Sequence, residues 1–206
     1  MAISTLAELK TQVKSFLMRA NILDVDAADN IENIILLGEK WIFRNARARE
    51  METALSFTIA SGEGTVPTDY RALKHARIST SPSRFLRQRK PQWIYESYPL
   101  RSSDSKPFFI GVDGLTFVFG PYPDSNYAVA GYYYAALTSI ITSANALFTA
   151  HPDLYLFGAL LEAVPFLEDD KRVPLWLAKY NDSLTRLQGQ SDREEYSGST
   201  LAVRPG

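Results

Sequence analysis

The side chains able to do chemistry in this chain are few and scattered. It carries two histidines, His75 and His151, and no cysteine. Without thiolates a zinc site needs carboxylates to complete its ligand set, and no spacing brings the two histidines together. His151 stands before Pro152 at a predicted helix start, which suits a structural or exposed role better than ligation. Asp169-Asp170 could bind a divalent cation, but two acids beside Lys171 and Arg172 read more readily as a solvated interhelical cluster. Gly62-Glu63-Gly64 is too short to cradle a phosphate, and no GxxxxGK[ST], GxSxG or HExxH pattern is present. Glu162, Glu168 and Asp170 could seed a hydrolytic carboxylate site, yet no nucleophile-base motif accompanies them. The reading is against an enzyme, with no catalytic residue, no metal and no cofactor.

Glu162 stands out for its surroundings. From Leu154 to Leu167 nearly every position but Glu162 is apolar, Tyr155, Phe157, Leu160 and Phe166 among them. A surface helix shows an apolar stripe about 100° wide, and a helix apolar all round must be covered all round. The run is about 14 residues, short of the roughly 20 that a bilayer span requires. This helix is therefore expected to be packed on two sides, with a neighbouring subunit a candidate for the second. A lone buried carboxylate costs several kcal/mol unless paired. Arg44, Arg47, Arg49 and Arg172 are its candidate partners.

Around these residues the elements read in order. Thr5-x-x-Glu8 is a capping box followed by Leu6, Leu9, Val13, Phe16 and Leu17 at helical spacing, predicting a helix over about 5–19. Asp26 caps a second, with Ile31, Ile34, Ile35, Gly38, Trp41 and Ile42 on its buried face and an end near Glu50. Alternation over 53–60 predicts a strand, and 73–80 and 83–87 predict shorter ones. Phe108–Val112, Asp113-Gly114 and Leu115–Phe119 form a hairpin, because Asp-Gly tolerates positive φ. Tyr127–Leu137 is a long strand with Tyr132, Tyr133 and Tyr134 on alternating faces, and Ser139–Ala146 is a connection. Pro165 should bend the apolar helix, and a last helix runs from about Val173 to Leu187. The remainder lacks a period and enough apolar surface to order itself. The expected fold is α+β: a helical bundle built from N- and C-terminal helices (1–52 and 139–188), an inserted antiparallel β-rich module (53–138) and an extended C-terminal arm (189–206).

Composition is that of an ordinary globular chain, 46% hydrophobic and 22% charged. The opening residues lack the layout of a secretory signal, and the absence of cysteine suits assembly in a reducing cytoplasm. A net charge of −1 argues against a dedicated nucleic-acid binder. One region is nevertheless basic: Arg71, Lys74, His75, Arg77, Arg84, Arg87, Arg89 and Lys90. A solvated face is the plain reading of it. Docking on an acidic protein or facing passing DNA, weakly and with strong salt dependence, are the functional ones. Trp93, Tyr95 and Tyr98 nearby could stack on bases or serve as core.

The segment Pro-Asp-Leu-Tyr-Leu-Phe-Gly-Ala-Leu-Leu-Glu-Ala at 152–163, with Pro165-Phe166-Leu167, Asp169-Asp170, Arg172 and Trp176, resembles the head-to-tail adaptor (connector) proteins of short-tailed bacteriophages. The Thr-x-x-Glu box, Arg47-Ala48-Arg49-Glu50-Met51-Glu52, the Val66–Tyr70 turn and the Tyr-rich strand extend the resemblance along the chain, while 75–107 matches loosely. The resemblance implies a structural virion protein at the head-to-tail junction. Such a protein forms a ring, typically of twelve copies, that joins the portal at the capsid vertex to a tail or nozzle protein and continues the DNA channel. Its partners would be itself, the portal, the tail and genomic DNA passing non-specifically, and no membrane. By the same analogy Glu162, Arg47, Arg172, Trp176, Tyr155 and Phe157 are interface or structural residues. Tyr196, Leu201, Val203 and Arg204 would form an arm that docks on the portal. Arg84, Arg87, Arg89 and Lys90 would face DNA or a partner. The competing expectation is a small aromatic-lined peptide- or glycan-binding module outside any ring, using Trp93 and Tyr132–Tyr134.

Overall fold

A computed structural model describes residues 3–17, 28–102, 104–166 and 171–196. The chain divides into two compact units, Met1–Glu50 with Leu137–Gly206, and Met51–Ala136. In chain order, α1 (Leu6–Leu17) and α2 (Ala28–Asn45) come first. The β unit then supplies β1 (Glu52–Thr58), β2 (Glu63–Thr65), β3 (Tyr70–Ile78), β4 (Arg84–Gln88), α3 (Pro91–Ser97), β5 (Phe109–Asp113), β6 (Thr116–Gly120) and β7 (Ala128–Ala135). The chain returns through α4 (Ala146–Ala150), α5 (Pro152–Glu162) and α6 (Val173–Tyr196).

The helical unit is organised around α5. The capping box at the start of α1 is formed: Thr5 Oγ1 accepts from the Glu8 N–H at 3.2 Å, and the Glu8 carboxylate accepts from the Thr5 N–H at 3.0 Å. Bonds from the Ser4 N–H and hydroxyl, and from Thr5, hold the Glu8 carboxyl below its usual pKa. α5 touches α1, α2, α4 and α6, and Leu154, Tyr155, Leu156, Gly158, Ala159 and Leu160 are buried. Much of its apolar surface is thus covered by the chain's own helices, while Phe157, Leu161 and Glu162 stay half-buried. Pro165 ends the helix instead of bending it: α5 stops at Glu162 and residues 164–166 tighten into a 3-10 turn. Proline has no N–H to give and its ring crowds the carbonyl one turn back.

α2 crosses α5 at two glycines. A Cβ built on Gly38 would lie 2.8 Å from both the Ala159 nitrogen and the Gly158 carbonyl carbon. These are backbone atoms with no rotamer to yield. Gly38→Ala is therefore expected to destabilise the helical unit by about 1–2 kcal/mol, overpacking strain outweighing the ~1 kcal/mol gain in helix propensity. A melting temperature at or above wild type would show that the crossing relaxes.

The β unit corrects the expected architecture. Its seven strands form one sheet in the order β1-β7-β3-β4-β5-β6-β2, curled into a nearly closed barrel. It is not a small antiparallel module inserted in a bundle: β4 and β5 are parallel, linked by a crossover that contains α3. Near-closure follows from the chain path, because the two end strands β1 and β2 are consecutive. Ser61 and Gly62, with φ of 51° and 77°, make a tight turn that pairs Ala60 with Glu63, the arrangement of a type I′ hairpin. Between β5 and β6, Asp113 pairs with Thr116, so the turn residues are Gly114-Leu115. Gly114 alone has positive φ there, at 58°; the turn is the glycine-first type, not the Asp-Gly turn expected. Inside, Leu55, Ile59, Ala76, Ile78, Ile110, Phe117, Phe119, Val129 and Tyr133 make a separate core. Phe57 stacks on Phe117 at 5.2 Å and Tyr70 on Tyr133 at 5.7 Å.

The expected arm from residue 189 is also corrected. Helix α6 continues to Tyr196, although Gly189 within it costs helix propensity. Contacts compensate: Arg49 donates to the Glu194 carboxylate at 3.2 Å and through its N–H to Ser191 Oγ at 3.3 Å. Gln190 donates to Glu194 at 2.9 Å.

Candidate functional site

The sheet pleat decides what the β unit shows to solvent. Register pairs Ser56 with Ala130, Ala130 with Arg77 and Arg77 with Phe85, giving one outward row across β1, β7, β3 and β4. The next row pairs Ala54 with Tyr132 and Tyr132 with His75. Small residues on two strands and large ones beside them leave a hollow of about 500 Å³, lined by Ala54, Ser56, His75, Arg77, Phe85 and Tyr132. Phe85 is 69% exposed and Tyr132 46%. Alternation along β7 buries Tyr133 between exposed Tyr132 and half-buried Tyr134, and its hydroxyl donates to Asp69 at 2.9 Å. Burial first, then that bond and the Asp69 charge, pushes the Tyr133 pKa up to about 12.

The four residues expected to form a basic patch separate. Arg84 is half-buried: it lies 3.8 Å from the centre of the Phe108 ring and donates to the Lys106 carbonyl at 2.9 Å. Arg87 is exposed on the outer face beside Phe85. Arg89 and Lys90 border a second, open groove of about 580 Å³ with Gln88, Trp93 and Val112. The Arg89 guanidinium lies 5.5 Å from the Trp93 ring centre. Trp93 also packs edge-on against Phe109 at 4.8 Å, so it is part wall and part exposed platform.

In the helical unit the expected interface residues divide between core and surface. Tyr155 and Trp176 are buried in their own chain, each 2% exposed. Phe157 and Glu162 are half-buried on α5. Glu162 is not the sealed carboxylate anticipated, and it makes no ion pair among the described residues. Arg47 is exposed and bonds its neighbour's carbonyl, Ala46 O, at 2.9 Å. Arg172 donates to Phe16 O at 2.7 Å and lies over the Trp176 ring at 5.1 Å. Tyr196 closes α6, while Leu201, Val203 and Arg204 lie outside the described residues, as do Glu168, Asp169 and Asp170. Among the described residues no group of three or more His, Asp or Glu could hold a metal ion.

The buried carboxylate of this unit is Glu39 on α2, 1% exposed. Among the described residues it pairs with no arginine. Glu39 Oε2 accepts from Ser139 Oγ at 2.5 Å, and Oε1 accepts from the Ile140 N–H at 3.0 Å and Asn145 Nδ2 at 3.3 Å. Asn145 also caps α4 by accepting from the Phe148 N–H at 2.8 Å, and it accepts from the Tyr155 hydroxyl at 3.1 Å. One network therefore ties α2, the 137–145 connection, α4 and α5 together. Desolvation raises the Glu39 pKa against the opposing pull of these bonds, and desolvation likewise pushes the Tyr155 hydroxyl well above its ordinary range. The signal was present in the pattern: Glu39 lies four after Ile35 and three before Ile42, squarely on the apolar face.

Exposed aromatics thus stand among arginines on one outward face of the sheet, with a self-contained core beneath. The chain belongs to the SU10 adaptor protein family, whose model matches residues 4–204. No curated protein matches it. Membership agrees with the likeness to phage head-to-tail adaptors carried by the 152–176 motif, and makes the chain a phage structural protein that works against other virion proteins.

Proposed function

We propose that this chain is the ring-forming subunit that joins the portal at the capsid vertex to the tail and continues the DNA channel. The observation that carries the reading is the adaptor-family match across nearly the whole chain. Exposed Phe85 and Tyr132 beside Arg77 and Arg87 support it, because aromatics and arginine are the residues enriched at protein interfaces. Twelve copies, the portal, a tail or nozzle protein and DNA in transit are the partners in this reading. Phe157, Glu162, Arg47 and Arg172 contribute to contacts between subunits, and Arg89 and Lys90 face a tail protein or the passing genome. The segment after Tyr196, with Leu201, Val203 and Arg204, docks against the portal in this reading.

Imaging the purified chain mixed with its portal tests this. The expected result is a closed ring of copies seated on the portal, and its loss when the chain is truncated after Tyr196, which leaves every described helix whole. A chain that neither closes into rings nor attaches to the portal would overturn the reading. Attachment that survives the truncation would remove the arm from it.

A further inference from the structure

We propose that the outer sheet face of the β unit is one half of the contact between successive copies, docking on the acidic end of α6 in the next copy. The inference rests on the ring reading and names the surfaces that build the ring. From Tyr70 to Tyr95 the chain carries seven Lys or Arg and no Asp or Glu. Some of these cations are already used: Lys74 is held by Glu52 at 2.7 Å, and Arg84 by a carbonyl and a ring. Arg77 and Arg87 are not. Arg77 lies across from Phe85, and Arg87 lies two residues beyond it on the same face. Neither makes an ion pair among the described residues. The face therefore sets Arg77 and Arg87 directly beside exposed apolar groups, Phe85, Tyr132 and the hollow that Arg77 helps to line.

Those two properties together choose the occupant. A DNA backbone asks for cations but makes no use of a phenylalanine turned outward between them. An acidic protein surface uses both, since desolvated aromatics and arginines supply most of the energy at protein contacts. The same chain offers that surface. The β unit has nine Lys or Arg against seven Asp or Glu, a net charge of +2, whereas the rest of the chain has 13 against 16, a net of −3. The last turns of α6, Ser191–Tyr196, hold Asp192, Glu194 and Glu195 against Arg193. Glu194 turns to Arg49. Asp192 and Glu195, three residues apart, are exposed and share a helix face. A closed ring of identical copies needs two different, complementary faces on every copy, and opposite charge on the two steers them together.

A charge swap in the full chain tests the contact. R77E/R87E, D192R/E195R and Phe85→Ser are each made alone, and the two reversals are also combined. Ring population is read by native mass spectrometry and sedimentation at low salt, with thermal melting as the check on folding. All five positions are exposed or half-exposed, so the melting temperature should hold. Each reversal, and the loss of Phe85, should weaken subunit association by at least about tenfold, and the combined reversal should recover most of it. Rings that persist in R77E/R87E or in Phe85→Ser overturn the contact, and so does a combination that fails to recover. Intact rings that lose retention on duplex DNA would assign the face to nucleic acid and overturn it as well. A wild-type chain that forms no ring, with or without its portal, overturns the ring reading itself, a distinct result from a ring indifferent to these substitutions.

Discussion

Glu39→Leu is expected to lower the stability of the helical unit by about 3–5 kcal/mol, because each buried donor left without its acceptor costs roughly 1–3 kcal/mol. Three donors lose that acceptor: Ser139 Oγ, the Ile140 N–H and Asn145 Nδ2. Asn145 is held in place to cap α4, so the damage should spread to that helix and to the connection before it. Glu39→Gln keeps an acceptor for the Ile140 N–H and should stay within about 1 kcal/mol of wild type. The two variants also separate charge from hydrogen bonding. Burial raises the Glu39 pKa above its ordinary 4.5, so the folded chain binds this proton more tightly than the unfolded one. The stability due to the proton is complete below 4.5 and is lost as pH climbs through the raised pKa. Wild type should therefore lose stability relative to Glu39→Gln as pH rises above that ordinary value. Chemical denaturation of both variants between pH 4 and 8 measures this, and curves that stay parallel would mean that Glu39 carries no such linkage. A leucine variant that melts with wild type would show that the network relaxes around the loss.

Gly131→Ala is expected to be comparably damaging in the β unit. Gly131 lies on β7 opposite Ala76 and Leu55, between the two strands that flank β7. A Cβ there would stand 2.1 Å from the His75 carbonyl oxygen and 2.8 Å from the Ala76 Cα. A backbone carbonyl in a ladder cannot swing aside as a side chain can. β7 must move off β3, in the middle of a sheet whose curl depends on that spacing. Overpacking of this kind costs about 3 kcal/mol or more, which for a chain of this size lowers the melting temperature by roughly 6–12 °C. A smaller fall, with secondary structure unchanged by circular dichroism, would show that the irregular register between Leu73 and His75 absorbs the methyl group.

How much of this was legible beforehand varies with the range of the forces involved. The capping box at Thr5 and Glu8, the apolar face of α2 and the alternation of Tyr132, Tyr133 and Tyr134 are set by neighbours a few residues away, and they could be read directly. The turn at Ser61-Gly62 was visible as a turn, yet its consequence was not. It places the first and last strands of the sheet edge to edge, and that follows only once β7 and β3 have paired between distant segments. The end of α6 was misread for a similar reason. Ser191–Tyr196 has no apolar period to predict a helix, and what holds it is a bond to Arg49, 145 residues away. The buried carboxylate was assigned to Glu162 from the greasiness of its neighbours. Whether a helix position is sealed depends on which helices surround it, and Glu39 is the one that faces the connection at 137–145.

By itself, then, the amino-acid order determined the four longest helices but not α3, α4 or the end of α6, most of the strands, the lack of a metal- or nucleophile-bearing motif, and through the 152–176 pattern the family. Each rests on local periodicity or on residues adjacent in the chain. Tertiary structure alone decided that α5 is wrapped by its own helices, that the strands curl into a near-closed barrel, and that Arg77, Phe85 and Tyr132 gather on one outward face. Those outcomes depend on register between segments far apart in the chain, where a shift of one residue turns every side chain to the opposite side of the sheet.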